Sequence, residues 1–301
     1  MEFNGVINVY KEKGYTSHDV VSILKRQLKS KAGHTGTLDP EAEGVLPIVL
    51  GKSTRLADYI MAEDKVYETQ IHFGVTTDTQ DMTGNVLSDN RPVGVSRKAL
   101  LDILEKFKGE ISQVPPMYSA IKINGEKLYN LARKGIEVER KSRLVTIHDI
   151  HLTEMDSCSA RLLVKCSKGT YIRSLCADIG EALGCGAAMG TLLRRASGEF
   201  HLEDSIKIDD IKNLVAKGKI ASYIIPPQDF FKEYPKANAK NEASKFIING
   251  NKFSSELIET ESLVPNQKYR LYADGKFVGL YILETSGILK PEIILSVNKK
   301  H

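Results

Sequence analysis

The chain has 301 residues, 42% hydrophobic and 27% charged, with a formal net charge of +4. That length allows a sizeable core and two domains, or one large domain with an appendage, and the composition is that of a soluble globular protein. No apolar run approaches the ~20 residues of a membrane helix, and MEFNGVINVYKEKG lacks the apolar core of a signal peptide, so a cytoplasmic protein without membrane contact is expected.

GVINVY (5–10) alternates like a short strand. Thr16 or Ser17 can cap the helix that follows, in which Val20, Leu24 and Leu28 recur on one face. After GHTGTLDPEAEGVLP (33–47), the run 45–50 reads as a buried strand and STRLADYIM (53–61) as a helix. VYETQIHFGV (66–75) alternates and is rich in β-branched and aromatic residues, hence a strand; TTDTQDMTGN is a polar loop. SRKALLDILEKFKGEI (96–111) is an amphipathic helix, and VPPMYSAIKINGEKL starts with a double proline and ends in a turn. RLVTIHDIHLTEM and ARLLVKCSKG are strands. TYIRSLCADIGEALG is a helix with Gly184 near its end. The character changes near Ile225-Pro226-Pro227. Beyond it, Asp274-Gly275 between two alternating runs is a hairpin signal.

The four cysteines, 158, 166, 176 and 185, are scattered singly, without C-x-x-C pairs or histidines at zinc spacing. Reduced thiols and no structural metal are expected. Lys25, Arg26, Lys29 and Lys31 form one basic cluster. Lys122, Lys127, Arg133, Lys134, Arg140, Lys141 and Arg143 form a second stripe. One such run is normally a solvated face; two beside candidate site loops point to a polyanionic substrate.

GKST (51–54) resembles the end of a P-loop, but the pattern needs glycine at position 46 and Leu46 stands there. It reads instead as a strand-to-helix junction capped by Ser53 or Thr54. A glycosidase would need two opposed carboxylates, and Glu41 could partner Asp39 only if the turn curled back on itself. Asp39 itself sits in a constrained setting. Pro40 biases it towards extended backbone, Gly33 and Gly36 permit tight turns, and Thr35 and Thr37 can tie the loop. From composition alone, an ordinary Asp-Pro turn and a deliberately held carboxylate are equally good readings.

The stretch GHTGTLDPEAEGVLP resembles the catalytic-aspartate motif of tRNA pseudouridine synthases of the TruB type. Other blocks match in the same order: GVINVYKEKGYTSHDVV, KVYETQIHFGVTTDTQDMTG, PPMYSAIKINGEKLYNLARKGIEVERKSRLVTI, and CSKGTYIRSLCADIGEALG followed by LLRRASGEF. Glu12 departs from the pattern, since the family usually has a proline there; this bears on the stiffness of the first loop. The resemblance implies isomerisation of uridine to pseudouridine at position 55, in the TΨC loop of tRNA, without any cofactor. It implies that Asp39 carries the reaction, by covalent addition to sugar or base or by removing a sugar proton. Tyr67 would stack on the flipped base, Arg173 would pair with Asp39, and Leu192 and Tyr171 would wall the uridine pocket. Asp81 would support the loop, His34 would fill space or contact RNA, and Arg133 and Lys134 would grip the tRNA arm.

The fold so implied is α+β: a catalytic domain over 1–231 with a mixed, mainly antiparallel sheet flanked by helices, and a small all-β PUA-like pseudobarrel over 232–301 that binds RNA. A stand-alone monomer without guide RNA is expected. The alternatives are an RNA-guided pseudouridine synthase subunit and a non-catalytic RNA-binding or RNA-folding protein. An intact block around Asp39 argues against the last, because binding an anionic ligand needs no fixed carboxylate.

Overall fold

Most of the buried apolar side chains lie on a ten-stranded mixed sheet and the helices packed against it. The computed structural model describes residues 3–123, 125–259 and 262–295. Across the sheet run Ile206–Lys207, Gly5–Lys11, Glu43–Leu50, Ala187–Ser197, Lys65–Phe73, Ser159–Cys166, Arg143–Met155 and Gly109–Gln113. Ala32–His34 adds to Glu43–Leu50, and Phe200–His201 to Ala187–Ser197. Two pairings are parallel, Gly5–Lys11 with Ile206–Lys207 and Glu43–Leu50 with Ala187–Ser197; the rest are antiparallel.

The Ser17–Leu28 helix forms because Thr16 and Asp19 close a capping box. The Thr16 hydroxyl accepts the Asp19 N–H (3.1 Å), and the Asp19 carboxylate accepts the Thr16 N–H (2.8 Å). Its face of Val20, Val21, Leu24 and Leu28 is buried in the main core. In Lys65–Phe73 every odd residue is buried and every even one partly exposed, the alternation the sequence predicts. The Ile172–Ala182 helix ends with Gly184 at φ +72°, its N–H on the Glu181 carbonyl (2.8 Å).

Three expectations change. The long helix from Ser96 stops at Lys106, where Gly109 (φ +92°) turns the chain into the edge strand Gly109–Gln113. GKST opens a 3₁₀ turn over Gly51–Leu56 ahead of a short helix, Ala57–Met61. Thr54 bonds back to the Gly51 carbonyl instead of capping, and no side chain caps that turn. The polar loop TTDTQDMTGN starts in strand: Thr76 and Thr77 belong to Val75–Thr77, which pairs with Val86–Asp89, and the rest of the loop connects this small hairpin. AAMGTLLRRAS, to which the sequence patterning assigns no element, is a central strand. Its two register shifts break the alternation, and its arginines mask burial on both faces. In the 121–127 turn, Lys122–Ile123 pairs with Glu126–Lys127, and residue 124 lies outside the described residues.

After the 3₁₀ turn Pro227–Phe231 comes a five-stranded sheet: Lys236–Asn238, Lys268–Ala273, Lys276–Leu283, Ile288–Ile294 and Phe253–Ser254. Asp274 and Gly275 both have positive φ, as the two-residue hairpin demands. The segment is not wholly β, since Ser244–Asn249 is a short helix. It has its own apolar cluster around Tyr269, Leu271 and Tyr281. A third cluster is shared: Phe231, Leu280 and Leu295 pack with Val6, Val45, Val49, Leu56 and Ile60 of the main sheet and its flank.

Candidate active site

Asp39 lies on the loop between Ala32–His34 and Glu43–Leu50, whose strands pair from Ala32–Leu50 to His34–Ile48. Thr35 ties the neck, donating both its N–H (3.2 Å) and its hydroxyl (3.1 Å) to the Pro47 carbonyl. Ser17 grips Leu38 from the helix start: its hydroxyl accepts the Leu38 N–H (2.9 Å) and donates to the Leu38 carbonyl (3.1 Å). The Asp39 carbonyl accepts the Ala42 N–H (3.1 Å), and Gly14 donates to the Pro40 carbonyl (2.9 Å), which fastens the first loop with Glu12 in the proline's place.

Two buried cations complete the cradle. Lys11 is fully buried and donates to the carbonyls of Ala42 (2.6 Å), Pro40 (3.2 Å) and Glu12 (3.2 Å). Burial lowers its pKa to about 8, against the opposing pull of Asp39 and Glu43. Arg194, 1% exposed, donates Nε–H to the Val45 carbonyl (2.7 Å) and Nη2–H to the Gly36 carbonyl (3.1 Å), one on each stem of the loop. Neither residue is visible as a site residue from the sequence, where a lysine or arginine reads as surface. The glycines are reassigned too. Gly33 has an ordinary backbone, whereas Gly36 (φ +138°) and Gly44 (φ +107°) need their freedom. A Cβ on Gly44 would sit 2.3 Å from the Arg194 carbonyl oxygen.

Arg173 reaches Asp39 from the first turn of Ile172–Ala182. Its Nε stands 3.1 Å from Asp39 Oδ2, its Nη1 bonds the Thr79 carbonyl (3.2 Å), and its Nη2 bonds the Tyr118 carbonyl (2.8 Å). The guanidinium is buried and the carboxylate 41% exposed, so the acid faces outward against an immobile cation. Asp81 lies on the far side, 3.8 Å from Arg173 Nη1. It organises its own loop: Oδ1 accepts from the Thr79 and Thr83 hydroxyls and the Thr83 N–H. Glu41 turns away to Lys13 (2.9 Å) and Glu43 accepts from the Tyr10 hydroxyl (3.2 Å), so neither supplies an opposed carboxylate.

Tyr67 is buried on Lys65–Phe73, directly across from Arg194; burial raises its pKa, with Arg194 opposing. Leu192 is paired with Thr69 on the adjacent strand and packs on the main core. Tyr171 stands at the N-cap position of the Arg173 helix, without a capping bond from its side chain, and carries the Arg143 guanidinium 4.7 Å above its ring. His34 is half-buried, its pKa lowered by burial and then by Arg194, so it is neutral at pH 7. Arg133 and Lys134 are exposed at the end of Leu128–Arg133, Arg133 over the Tyr129 ring (5.5 Å) and Lys134 paired with Glu126 (2.6 Å). The first basic cluster is displaced. Lys29 and Lys31 adjoin the strand ends where Gly5 faces Leu50, the opposite end from Asp39. All four cysteines are free, and no cluster of metal-ligand side chains occurs among the described residues. No described helix is long and apolar enough to cross a membrane.

The family model described as "TruB family pseudouridylate synthase (N terminal domain)" matches residues 23–172, and "tRNA pseudouridylate synthase B C-terminal domain" matches 173–229. Curated relatives named tRNA pseudouridine synthase B include one from Clostridium tetani, 45% identical over 92% of this chain and 94% of its own. Another, from Alkaliphilus oremlandii, is 43% identical over 93% of each. Among solved structures, a Cbf5–Nop10–Gar1 complex has a chain that superposes with TM-score 0.71 at 27% identity, over 97% of this chain and 84% of that one. An H/ACA RNP bound to a substrate RNA containing 2′-deoxyuridine gives TM-score 0.69 at 25% identity with the same coverage.

Proposed function

This chain belongs to the TruB family of pseudouridylate synthases, and from that membership we propose that it isomerises uridine to pseudouridine in the TΨC loop of tRNA, at position 55, as a cytoplasmic, stand-alone monomer without guide RNA. The observation that carries the reading is the Asp39–Arg173 pair: a fixed carboxylate, open to solvent, backed by a buried guanidinium that holds it aimed.

The reaction breaks the N1–C1′ bond, rotates the uracil and rejoins it through C5. The C5 hydrogen leaves as a proton and N1 takes one up, so no atom is gained or lost apart from this exchange and no cofactor is called for. Asp39 is the reacting carboxylate. Its Oδ2 is committed to Arg173, and Oδ1 accepts no hydrogen bond from the described residues, which suits it to approach substrate. The target base has to leave its stack, at a cost of a few kcal/mol. Tyr67, Leu192 and Tyr171 supply the apolar and aromatic walls that offset this cost. Asp81 holds the loop whose Thr79 carbonyl helps anchor Arg173. His34, neutral beside the loop, contacts RNA without acid–base work. Arg133 and Lys134 meet phosphates of the tRNA arm, and the C-terminal unit, 232–301, adds RNA contacts to a catalytic unit spanning 1–231.

The test is tritium release from C5-labelled uridine in a tRNA transcript, using purified protein and no other RNA. Release by the parent, none by Asp39→Asn, and retained tRNA binding by the variant are expected. Turnover by Asp39→Asn would remove Asp39 from its role, and release only with an added guide RNA would favour the guided reading. Binding without release by the parent would leave an RNA-folding protein.

A further inference from the structure

The helix that delivers Arg173 starts without a capping side chain, since Tyr171 at its N-cap supplies no acceptor for the first turn. A distant residue fixes that start. Gln113, fully buried at the end of the edge strand Gly109–Gln113, bonds the Tyr171 backbone at both polar atoms. Its Oε1 accepts the Tyr171 N–H (2.8 Å), and its Nε2 donates to the Tyr171 carbonyl (3.0 Å). The pair of bonds needs one acceptor and one donor held in a single amide plane, which only glutamine supplies at this reach.

The neighbours of Gln113 continue the brace. The Val114 carbonyl accepts from the Ser174 hydroxyl (3.3 Å), and the Tyr118 carbonyl accepts from Arg173 Nη2 (2.8 Å). Across the strand pair, Arg143 faces Gln113, stacks on the Tyr171 ring and donates to the Gly169 carbonyl. The residues just before the exposed basic segment therefore hold Tyr171, Arg173 and Ser174 at once. Both Tyr171 and Arg173 carry the pocket in the isomerase reading, on which this step rests.

We propose that Gln113 is a positioning residue for the isomerisation: it sets the start of the Ile172–Ala182 helix so that the Tyr171 ring and the Arg173 guanidinium meet the flipped uridine and Asp39. It touches neither substrate nor the reacting atoms and acts through the Tyr171 backbone.

Gln113→Glu tests this with almost no change of shape. The carboxylate keeps the acceptor for Tyr171 N–H but sets a second acceptor against the Tyr171 carbonyl. Gln113→Met removes both bonds without adding charge. The expected result is a single-turnover tritium-release rate lowered on the order of 10²-fold, with tRNA dissociation constants within about threefold of the parent. Thermal melting identifies which variant is folded at the assay temperature. Parent-like turnover in a folded variant overturns the proposal. So does an equal loss of turnover and binding, or a failure of both variants to fold, since each makes Gln113 a structural residue only. If the parent itself releases no tritium, the isomerase reading fails first, which is a separate outcome.

Discussion

Arg194→Met is the sharpest perturbation the site offers. It removes a buried guanidinium that donates to the Gly36 and Val45 carbonyls, at 3.1 and 2.7 Å. The buried Val45 carbonyl and the part-buried Gly36 carbonyl lose this donor, at about 1–3 kcal/mol each and so up to about 2–6 kcal/mol together. No carboxylate forms an ion pair with Arg194 among the described residues, so its charge is desolvated without a counter-ion. Replacing such a buried ion by an apolar side chain returns about 1–4 kcal/mol. The net loss is then about 1–2 kcal/mol, and at roughly 2–4 °C per kcal/mol the melting midpoint falls by about 2–8 °C. Turnover suffers more. The two stems of the Asp39 loop lose their common anchor, and a displacement of about 1 Å at a reacting group costs on the order of 10²-fold. Melting curves and single-turnover tritium release, with tRNA affinity as control, separate the two effects. Arg194→Lys keeps the charge but not the two-pronged donor, and should recover part of the rate. A variant that melts within about 1 °C of the parent and turns over normally would refute the clamp. A midpoint loss beyond about 15 °C would show instead that Arg194 holds the fold as a whole.

Tyr67→Ala should lower the single-turnover rate far more than it weakens tRNA binding; equal losses, measured by tritium release and filter binding, would exclude a pocket role. Gly44→Ala should cost about 3 kcal/mol or more, visible in urea unfolding, because its φ is +107° and the new Cβ meets the Arg194 backbone at 2.3 Å. Lys11 and Lys65 have folded-state pKa values lowered by burial to about 8, against about 10.4 in the unfolded chain. The folded state therefore binds fewer protons between these values, and stability rises as pH goes from about 8 to 10.4, by up to about 3 kcal/mol for each lysine. Urea midpoints across that range should climb less steeply in Lys11→Met; an unchanged slope would mean that Lys11 stays charged where it is.

Local rules made much of the fold legible. The Thr16–Asp19 box, the alternation in Lys65–Phe73 and the Asp274-Gly275 turn are each written within a few neighbouring residues. The unusual setting of Asp39 was also visible, though for partly wrong reasons: Gly33 is dispensable to the turn, while Gly44 is not. What stayed hidden depends on distance along the chain. Gln113 meets Tyr171 and Arg194 meets Gly36 only after the sheet has formed. The Ala187–Ser197 strand was obscured because Arg194 is charged, central and buried, a combination that hydrophobic patterning cannot register. Arg133 and Lys134 show the converse: the sequence finds a basic run, but their position relative to Asp39 is set by the path of the whole 114–142 segment.

The apolar cluster shared by the two sheets bears on how such proteins can be recombined. The strand beyond the Asp39 loop turns Leu46, Ile48 and Leu50 into the main core, and Val45 and Val49 towards Phe231, Leu280 and Leu295. Cutting the chain after Lys232 would thus strip Leu280 and Leu295 from the back of the strand that supports the reacting acid. A truncated protein would lose activity through a softened scaffold even if the missing part never touched RNA. Exchange of this C-terminal unit between relatives must first match the greasy face behind Val45 and Val49; the module that can be inherited whole is the welded pair.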